Sequence, residues 1–433
     1  MEQKIKQGDG ALLGFFPLFF NLSETGRAVL VAKRYQELGG KVVFFSHGGD
    51  YEYFAEEQGF DIIRIRPLLD KEFVNRYFRI ARGESNEDIY PQPLLQEVVE
   101  HEITMFKETK IKALVSTNNE PCTLSARAAN IPLIAITTGP GQFHYSVPDM
   151  YENVLTRCIP QRLKLPIFNW MIPRTKNHLK PFNTLAKHYK TKPFTGTMDL
   201  YYGDTTLVTN FLEFIDIFPK QQQFPAEDYV GIILLEEMFT GNFSEEQADS
   251  ANQEITNHLK GGQKTILFTM GSSGDKNLFL RILHALNTTS YRVVAVYTNI
   301  LKDDELPALD EHILLKKYVP SLARVHTMTD LSIIHGGQGT VYTAAYSGKP
   351  IIGYPMQFEQ HLNLEKMVGH GTGLMQSMKY FSGQKLMKSI AHIYDYYDDF
   401  LKNAQVLSKK LPQPDGDKNA ARRILQILSK SKK

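Results

Sequence analysis

Short apolar runs rich in β-branched and aromatic residues alternate along this chain with longer segments whose hydrophobic positions recur every three or four residues. The first pattern reads as buried strand and the second as amphipathic helix. In the first half, strands are predicted over 11–16, 41–46, 61–65, 113–116 and 132–137. Between the first two, Val29, Leu30, Ala32, Tyr35 and Leu38 mark a helix over 27–38 that Gly39 and Gly40 stop. The second half repeats the rhythm, with strands expected over 265–270, 292–297, 313–315, 330–335 and 350–353. Regular alternation of this kind predicts two α/β domains with parallel sheets, because parallel strands need helical crossovers. The segment 218–231, with two prolines and a glutamine triplet, and the polar stretch that follows to about 262 read as an interdomain connection. Two such sheets set side by side direct their carboxyl ends toward one cleft, where ligands of these folds bind.

Composition narrows the classes further. With 433 residues the chain is long enough for two or three domains, and 42% hydrophobic against 22% charged residues is ordinary globular composition. A formal charge of +2 excludes nucleic-acid binding by bulk electrostatics, and no nucleic-acid partner is expected. Cys122 and Cys158, far apart and without a neighbouring Cys or His pattern, disfavour a disulfide framework and a structural zinc site, which fits a reducing, cytoplasmic setting. The apolar run 11–20, broken by Gly14 and Pro17, is too short to span a bilayer and reads as a strand. One segment departs from the rhythm. From 153 to 198 there are nine basic and no acidic residues, interleaved with Leu163, Leu165, Ile167, Phe168, Trp170 and Met171. Two readings stand: peripheral docking on an anionic membrane through residues 157–192, or a solvated face over a helical insertion that its prolines interrupt.

The chemistry concentrates between Tyr318 and Gly373. A strand there ends at His335, and Gly336, Gly337 and Gly339 permit a tight turn before a helix that begins near Gln338. The unsatisfied N–H groups of a first helical turn and the helix dipole stabilise a phosphate, and His335 and Thr340 can add side-chain donors. No Lys follows the glycines, so this is not a nucleoside-triphosphatase phosphate loop. The third glycine of the dinucleotide fingerprint is also missing.

The segment resembles the nucleotide-sugar signature of the family 1 UDP-glycosyltransferases, macrolide-type members included. Its elements are Tyr318-Val319-Pro320, Asp330, His335-Gly336-Gly337-x-Gly339-Thr340, Gly348-x-Pro350, Pro355, Glu359-Gln360, Asn363 and Gly371-x-Gly373. Weaker likeness extends to Tyr229-Val230-Gly231, Met270-Gly271-Ser272-Ser273, and Asp415-Gly416 ahead of Ala420-Ala421. The resemblance implies the GT-B fold, two facing Rossmann-like domains: an acceptor domain over 1–240, a nucleotide-sugar domain over 241–405, and a last helix over 406–433 that crosses back. It implies that His335, Thr340 and the backbone of Gly337, Gln338 and Gly339 hold the diphosphate, with Gly271, Ser272 and Ser273 on a neighbouring loop. Tyr318 and Val319 would cradle uracil, and Glu359 and Gln360 the donor-sugar hydroxyls. Two positions depart from the family. Thr343 stands where a Glu usually binds the ribose, and Glu24, in Ser23-Glu24-Thr25-Gly26-Arg27, stands at the place of the catalytic His. The family's orienting Asp is replaced by Asn118 and Asn119, with Glu120 next.

Glu24 reads either as a general base, if buried between the domains, or as a first-turn residue behind an Ser23 N-cap. His144, in a loop, is a second candidate base. Asp303-Asp304 and Asp398-Asp399 lack the spacing of a diphosphate-bound metal site, so neither metal nor cofactor is expected beyond the UDP-sugar co-substrate. The expected activity is inverting, metal-independent transfer of a sugar from a UDP-sugar to a hydroxyl of an apolar or lipid-like acceptor. A nucleotide-sugar binding protein without turnover and a nucleotide-sugar epimerase are the alternatives.

Overall fold

A computed structural model describes residues 11–81, 84–85, 87–138, 158–171, 174–215, 224–235, 244–271 and 274–430. Within them lie two six-stranded sheets, every pairing parallel. The first comprises β1 (Leu12–Pro17), β2 (Lys41–Ser46), β3 (Ile62–Arg64), β4 (Ala113–Thr117), β5 (Leu133–Thr137) and β6 (Thr205–Val208), in the order β3-β2-β1-β4-β5-β6. The second comprises β7 (Thr265–Thr269), β8 (Arg292–Val296), β9 (Ile313–Lys316), β10 (Leu331–Ile334), β11 (Ile351–Gly353) and β12 (Gly373–Met375), in the order β12-β11-β10-β7-β8-β9. Each sheet is a doubly wound, Rossmann-like unit, and together they form the GT-B architecture.

The strand order reverses between β1 and β4 in one sheet and between β7 and β10 in the other. At such a switch point the connections leave to opposite faces and open a crevice at the carboxyl ends of the strands. Pro17 pairs with Thr117 at the first crevice and Ile334 with Thr269 at the second. The residues that follow, 18–24, 118–120, 270–271 and 335–340, therefore converge on the cleft.

Several sequence expectations change in the structure. β6 and β12 escape the sequence pattern because Thr205 and Thr206 dilute one and the other is three residues long; both are edge strands that pairing with β5 and β11 defines. The first helix spans Leu22–Glu37, starting five residues earlier than its hydrophobic positions suggest. Its N-cap is Asn21, whose Oδ1 accepts from the Ser23 N–H at 3.1 Å, not Ser23. The supposed connection is also more structured than its composition suggests. Val230, Ile232 and Ile233 are buried, and 245–259 forms a helix that a Ser244/Gln247 capping box starts and a single buried residue, Ile255, anchors.

The last helix, Gly416–Lys430, packs into the core of the first sheet. Ala420, Ala421 and Ile424 are fully buried there in one cluster with Val29, Ala32 and Val230. Arg34 Nε meets Asp417 at 2.6 Å, Arg423 Nε meets Asp228 at 2.8 Å, and the Gly416 N–H donates to the Ile232 carbonyl at 3.0 Å. Gly416 has to be glycine: a Cβ would stand 2.3 Å from the Gly231 oxygen. Ile424→Ala removes packing from this seam and should cost about 2–5 kcal/mol, read as a lowered urea midpoint.

Candidate active site between the two sheets

In the second sheet's domain, β10 ends and the chain turns through Gly336 at φ 97° into the helix Gln338–Ser347, with Gly337 as N-cap. A Cβ on Gly336 would lie 2.6 Å from the Gln360 carbonyl oxygen, so the turn can approach the neighbouring helix only without a side chain. The His335 ring lies between Gly271 and Gly337, where a Cβ on either would come within 2.6 and 2.5 Å of it. Burial pushes the His335 pKa down to about 4, and its Nδ1 is buried without a hydrogen-bond partner. A neutral imidazole with an unmatched ring nitrogen beside a helix N-terminus suits an anion that brings its own oxygens.

The helix Phe358–Gly369 closes the other wall. Asn363 Nδ2 donates to the Gly336 carbonyl at 3.1 Å and to Glu359 Oε1 at 3.2 Å, tying this helix to the glycine turn. Gln360 Oε1 accepts from the Met356 N–H at 2.8 Å. Burial raises the Glu359 pKa; the Arg27 guanidinium opposes the shift and the Glu24 charge adds to it. The three groups thus face one another although Arg27 and Glu24 belong to the other sheet's domain.

In the first sheet's domain, the register of β1 with β4 brings Glu24 beside residues 117 and 118. Thr117 Oγ1 donates to the Glu24 carbonyl at 3.0 Å and Asn118 Nδ2 to Glu24 Oε1 at 2.8 Å. Asn118 does so from a left-handed backbone at φ 51°, a conformation asparagine tolerates better than most residues. Arg27 Nη2 forms a buried ion pair with the same Oε1, which leaves Oε2 buried and without a partner. Arg27 then spans the cleft: its Nη1 donates to Gln338 Oε1 at 3.1 Å, and Gln338 Nε2 donates to the Thr209 carbonyl at 2.6 Å. A continuous chain, Asn118, Glu24, Arg27, Gln338, Thr209, therefore joins the two domains.

Other predicted residues fall differently. Thr343 turns its hydroxyl onto the carbonyls of Gly339 and Thr340 in its own helix, at 3.1 and 3.0 Å, so it does not reproduce a ribose-binding carboxylate. Tyr318 is partly exposed and its hydroxyl donates to Asn299 Oδ1 at 2.7 Å, while Val319 packs with Val325 and Leu322 below it. Thr340 lies buried in the first turn after the glycines. His144, Ser272 and Ser273 lie outside the described residues. Two groups carry more of the geometry than the sequence suggested. Arg27 shows no local sign of a partner 311 positions away. Glu120 opens the helix Glu120–Ala129, fully buried, and its Oε1 receives the hydroxyls of Tyr77 and Tyr201 at 3.0 Å each. Burial pushes its pKa up to about 7, the helix N-terminal N–H and the two tyrosines opposing and the Glu24 charge adding to the shift. Among the described residues no group of three or more His, Cys, Asp or Glu side chains is gathered as a metal site.

The His335 shift carries a sign that can be checked. Its folded pKa of about 4 lies below the ordinary 6.5, so between these values the unfolded chain binds a proton that the folded chain does not. That contribution to stability is complete above about pH 6.5 and is lost as pH falls, by about 2 kcal/mol at about pH 5. His335→Asn should flatten this part of the pH dependence, measured as urea midpoints near pH 7 and pH 5; an unchanged slope would contradict the assignment.

Comparison with known proteins completes the picture. Residues 87–411 match the family model described as UDP-glucoronosyl and UDP-glucosyl transferase. A PGL/p-HBAD biosynthesis glycosyltransferase of Mycobacterium tuberculosis is 24% identical over 308 residues, which span 69% of this chain and 65% of the relative. A PGL/p-HBAD biosynthesis rhamnosyltransferase of Mycobacterium bovis is 22% identical over 314 residues, 70% of this chain and 65% of the relative. The matches thus span just under two thirds of these curated relatives. Among solved structures, the glycotransferase of kitacinnamycin superimposes with a TM-score of 0.66 at 14% identity, covering 97% of this chain and 99% of the other. The calicheamicin glycosyltransferase CalG4 does so at 0.65 and 13%, covering 97% and 99%. The glycine turn, the doubly wound pair of sheets and the family match agree: this chain belongs to the UDP-glucuronosyl and UDP-glucosyl transferase family, with the GT-B fold.

Proposed function

We propose that the chain is an inverting, metal-independent glycosyltransferase that moves a sugar from a UDP-sugar to a hydroxyl of an apolar or lipid-like acceptor, met at a lipid surface. The observation that carries the reading is Glu24 Oε2, buried and unpartnered while Oε1 is held by Asn118 and Arg27. That oxygen is left to receive the proton of an acceptor hydroxyl. As the proton passes to Glu24, the acceptor oxygen forms its bond to the anomeric carbon, and the bond to the diphosphate oxygen breaks on the opposite face with its electron pair. Asn118 takes the orienting place that an Asp holds beside the family's His. An amide suits a carboxylate base, because it donates a hydrogen bond where a second carboxylate would repel.

The leaving diphosphate would be met by the N–H groups that open the helix Gln338–Ser347 and by His335. Glu359 and Gln360, at the first turn of the helix Phe358–Gly369, would bind the sugar hydroxyls. Two relatives are named for PGL/p-HBAD biosynthesis. The nucleotide is assigned as UDP from Tyr318, Val319 and the family; the solved structure of VinC holds DTDP, so both nucleotides enter the test.

A second reading, binding without turnover, is favoured by the ion pair that engages Glu24. Glu24→Gln separates the two: it keeps the shape, and transfer to a competent acceptor should fall by about 100-fold or more while the donor still binds. Unchanged turnover would remove Glu24 from the mechanism. His335→Ala should weaken UDP binding by about 1–3 kcal/mol, read by calorimetry beside a thermal-shift comparison of UDP and TDP.

A further inference from the structure

The basic segment contains a helix, Gln161–Met171, whose two faces differ sharply. At about 100° per residue, Leu163, Ile167, Trp170 and Met171 fall on one stripe. They are 57%, 66%, 63% and 43% exposed, and Ile159 just ahead of the helix extends the patch. Isolated exposed apolar residues are ordinary, but four on one stripe of an 11-residue helix are a contiguous patch that calls for a covering phase. Arg162 and Lys164 fall on the two margins of the stripe, and exposed Arg174, Lys176 and Lys180 follow it. Arg174 stacks 5.0 Å from the Trp170 ring and donates to its carbonyl at 2.8 Å. No acidic residue occurs from 153 to 198. Apolar stripe, basic margins and absent acids describe a surface complementary to anionic headgroups over hydrocarbon.

The opposite face shows why the patch sits where it does. Phe168 is buried and packs with Leu165 against Phe358, the residue before Glu359. The helix is thus a wall at the rim of the interdomain cleft, with one side on the sugar-binding helix and the other outward. We infer that the helix Gln161–Met171 docks the protein on anionic bilayers, seating Leu163, Ile167, Trp170 and Met171 at the headgroup–acyl boundary and opening the cleft to the membrane. An amphiphilic acceptor then enters sideways from the lipid, and its sugar-accepting head reaches Glu24 without leaving the interface. The use of this docking rests on the lipid-like acceptor proposed above; the docking itself does not.

Trp170 is the only tryptophan of the chain, so its emission reports this face alone. The intact protein is mixed with phosphatidylcholine vesicles, pure or carrying roughly 30% phosphatidylglycerol, at low and high salt. Docking predicts a blue shift of Trp170 and co-flotation with the anionic vesicles, both reduced by salt. Ile167→Glu should abolish both, and K176Q with K180Q should weaken binding by about fivefold for each charge removed. Each variant's thermal shift with UDP should match the parent's and serves as the folding control. An unshifted emission with the protein left unfloated on anionic vesicles overturns the inference. So does a blue shift that grows with protein concentration in the absence of lipid, which would make the patch a self-association face. Vesicle binding without sugar transfer to an apolar or lipid-like alcohol would leave the docking standing and remove the acceptor reading; transfer to such an alcohol without vesicle binding would do the reverse.

Discussion

A buried charge pair at the domain seam organises this molecule. Glu24 and Arg27, one helical turn apart, are both nearly excluded from water. A carboxylate and a guanidinium in such a place are tolerated only when their remaining donors and acceptors are met, and removing one leaves the other as an uncompensated charge. Asn118 meets the carboxylate from the same domain and Gln338 meets the guanidinium from the other. The seam is therefore specified by polar geometry rather than by apolar area alone, and the residues that fasten it are those that line the cleft. Around it, Tyr342 donates to Asn210 and packs against Phe211 and Phe214, so the helix that opens on the glycine turn is also the one gripped by the opposite domain.

Backbone shape supplies the second half of the site. His335 reaches its place because Gly271 and Gly337 leave no side chain on either side of the ring, and Gly336 lets the turn touch the carbonyl of Gln360. The result is a turn whose polar atoms are fixed by strand ends and helix starts. Groups held in this way need little reorganisation to meet a charge, which is the condition for strong electrostatic stabilisation. Burial acts on nearby carboxyl groups as well: it raises Glu359 and Glu120, while Arg27 holds Glu359 back.

Two helices outside the sheets, Gln161–Met171 and Gly416–Lys430, tie this arrangement together. The last helix returns to the first sheet through Ala420, Ala421 and Ile424, and the insertion helix reaches the second sheet's domain through Phe168 on Phe358. One contact is a core, the other a small latch at the rim.

What the chain declared by itself was local. Alternating apolar runs announced ten of the twelve strands, and His335 through Thr340 announced a strand end, a glycine turn and a helix start, because each rests on periodicity or on neighbours within a few positions. Edge strands β6 and β12 stayed silent, since Thr205 and Thr206 interrupt the apolar run of one and Gly373 leaves the other only two apolar residues, so that both owe their form to a neighbouring strand. The tertiary structure alone decided that Arg27 finds Gln338, that Asn118 takes one oxygen of Glu24 and leaves the other, that Thr343 folds its hydroxyl back, and that the stripe from Leu163 to Met171 faces outward. These are contacts between residues distant along the chain, or a choice between two faces of one helix. Periodicity can say that a face exists, but only packing settles what stands against it.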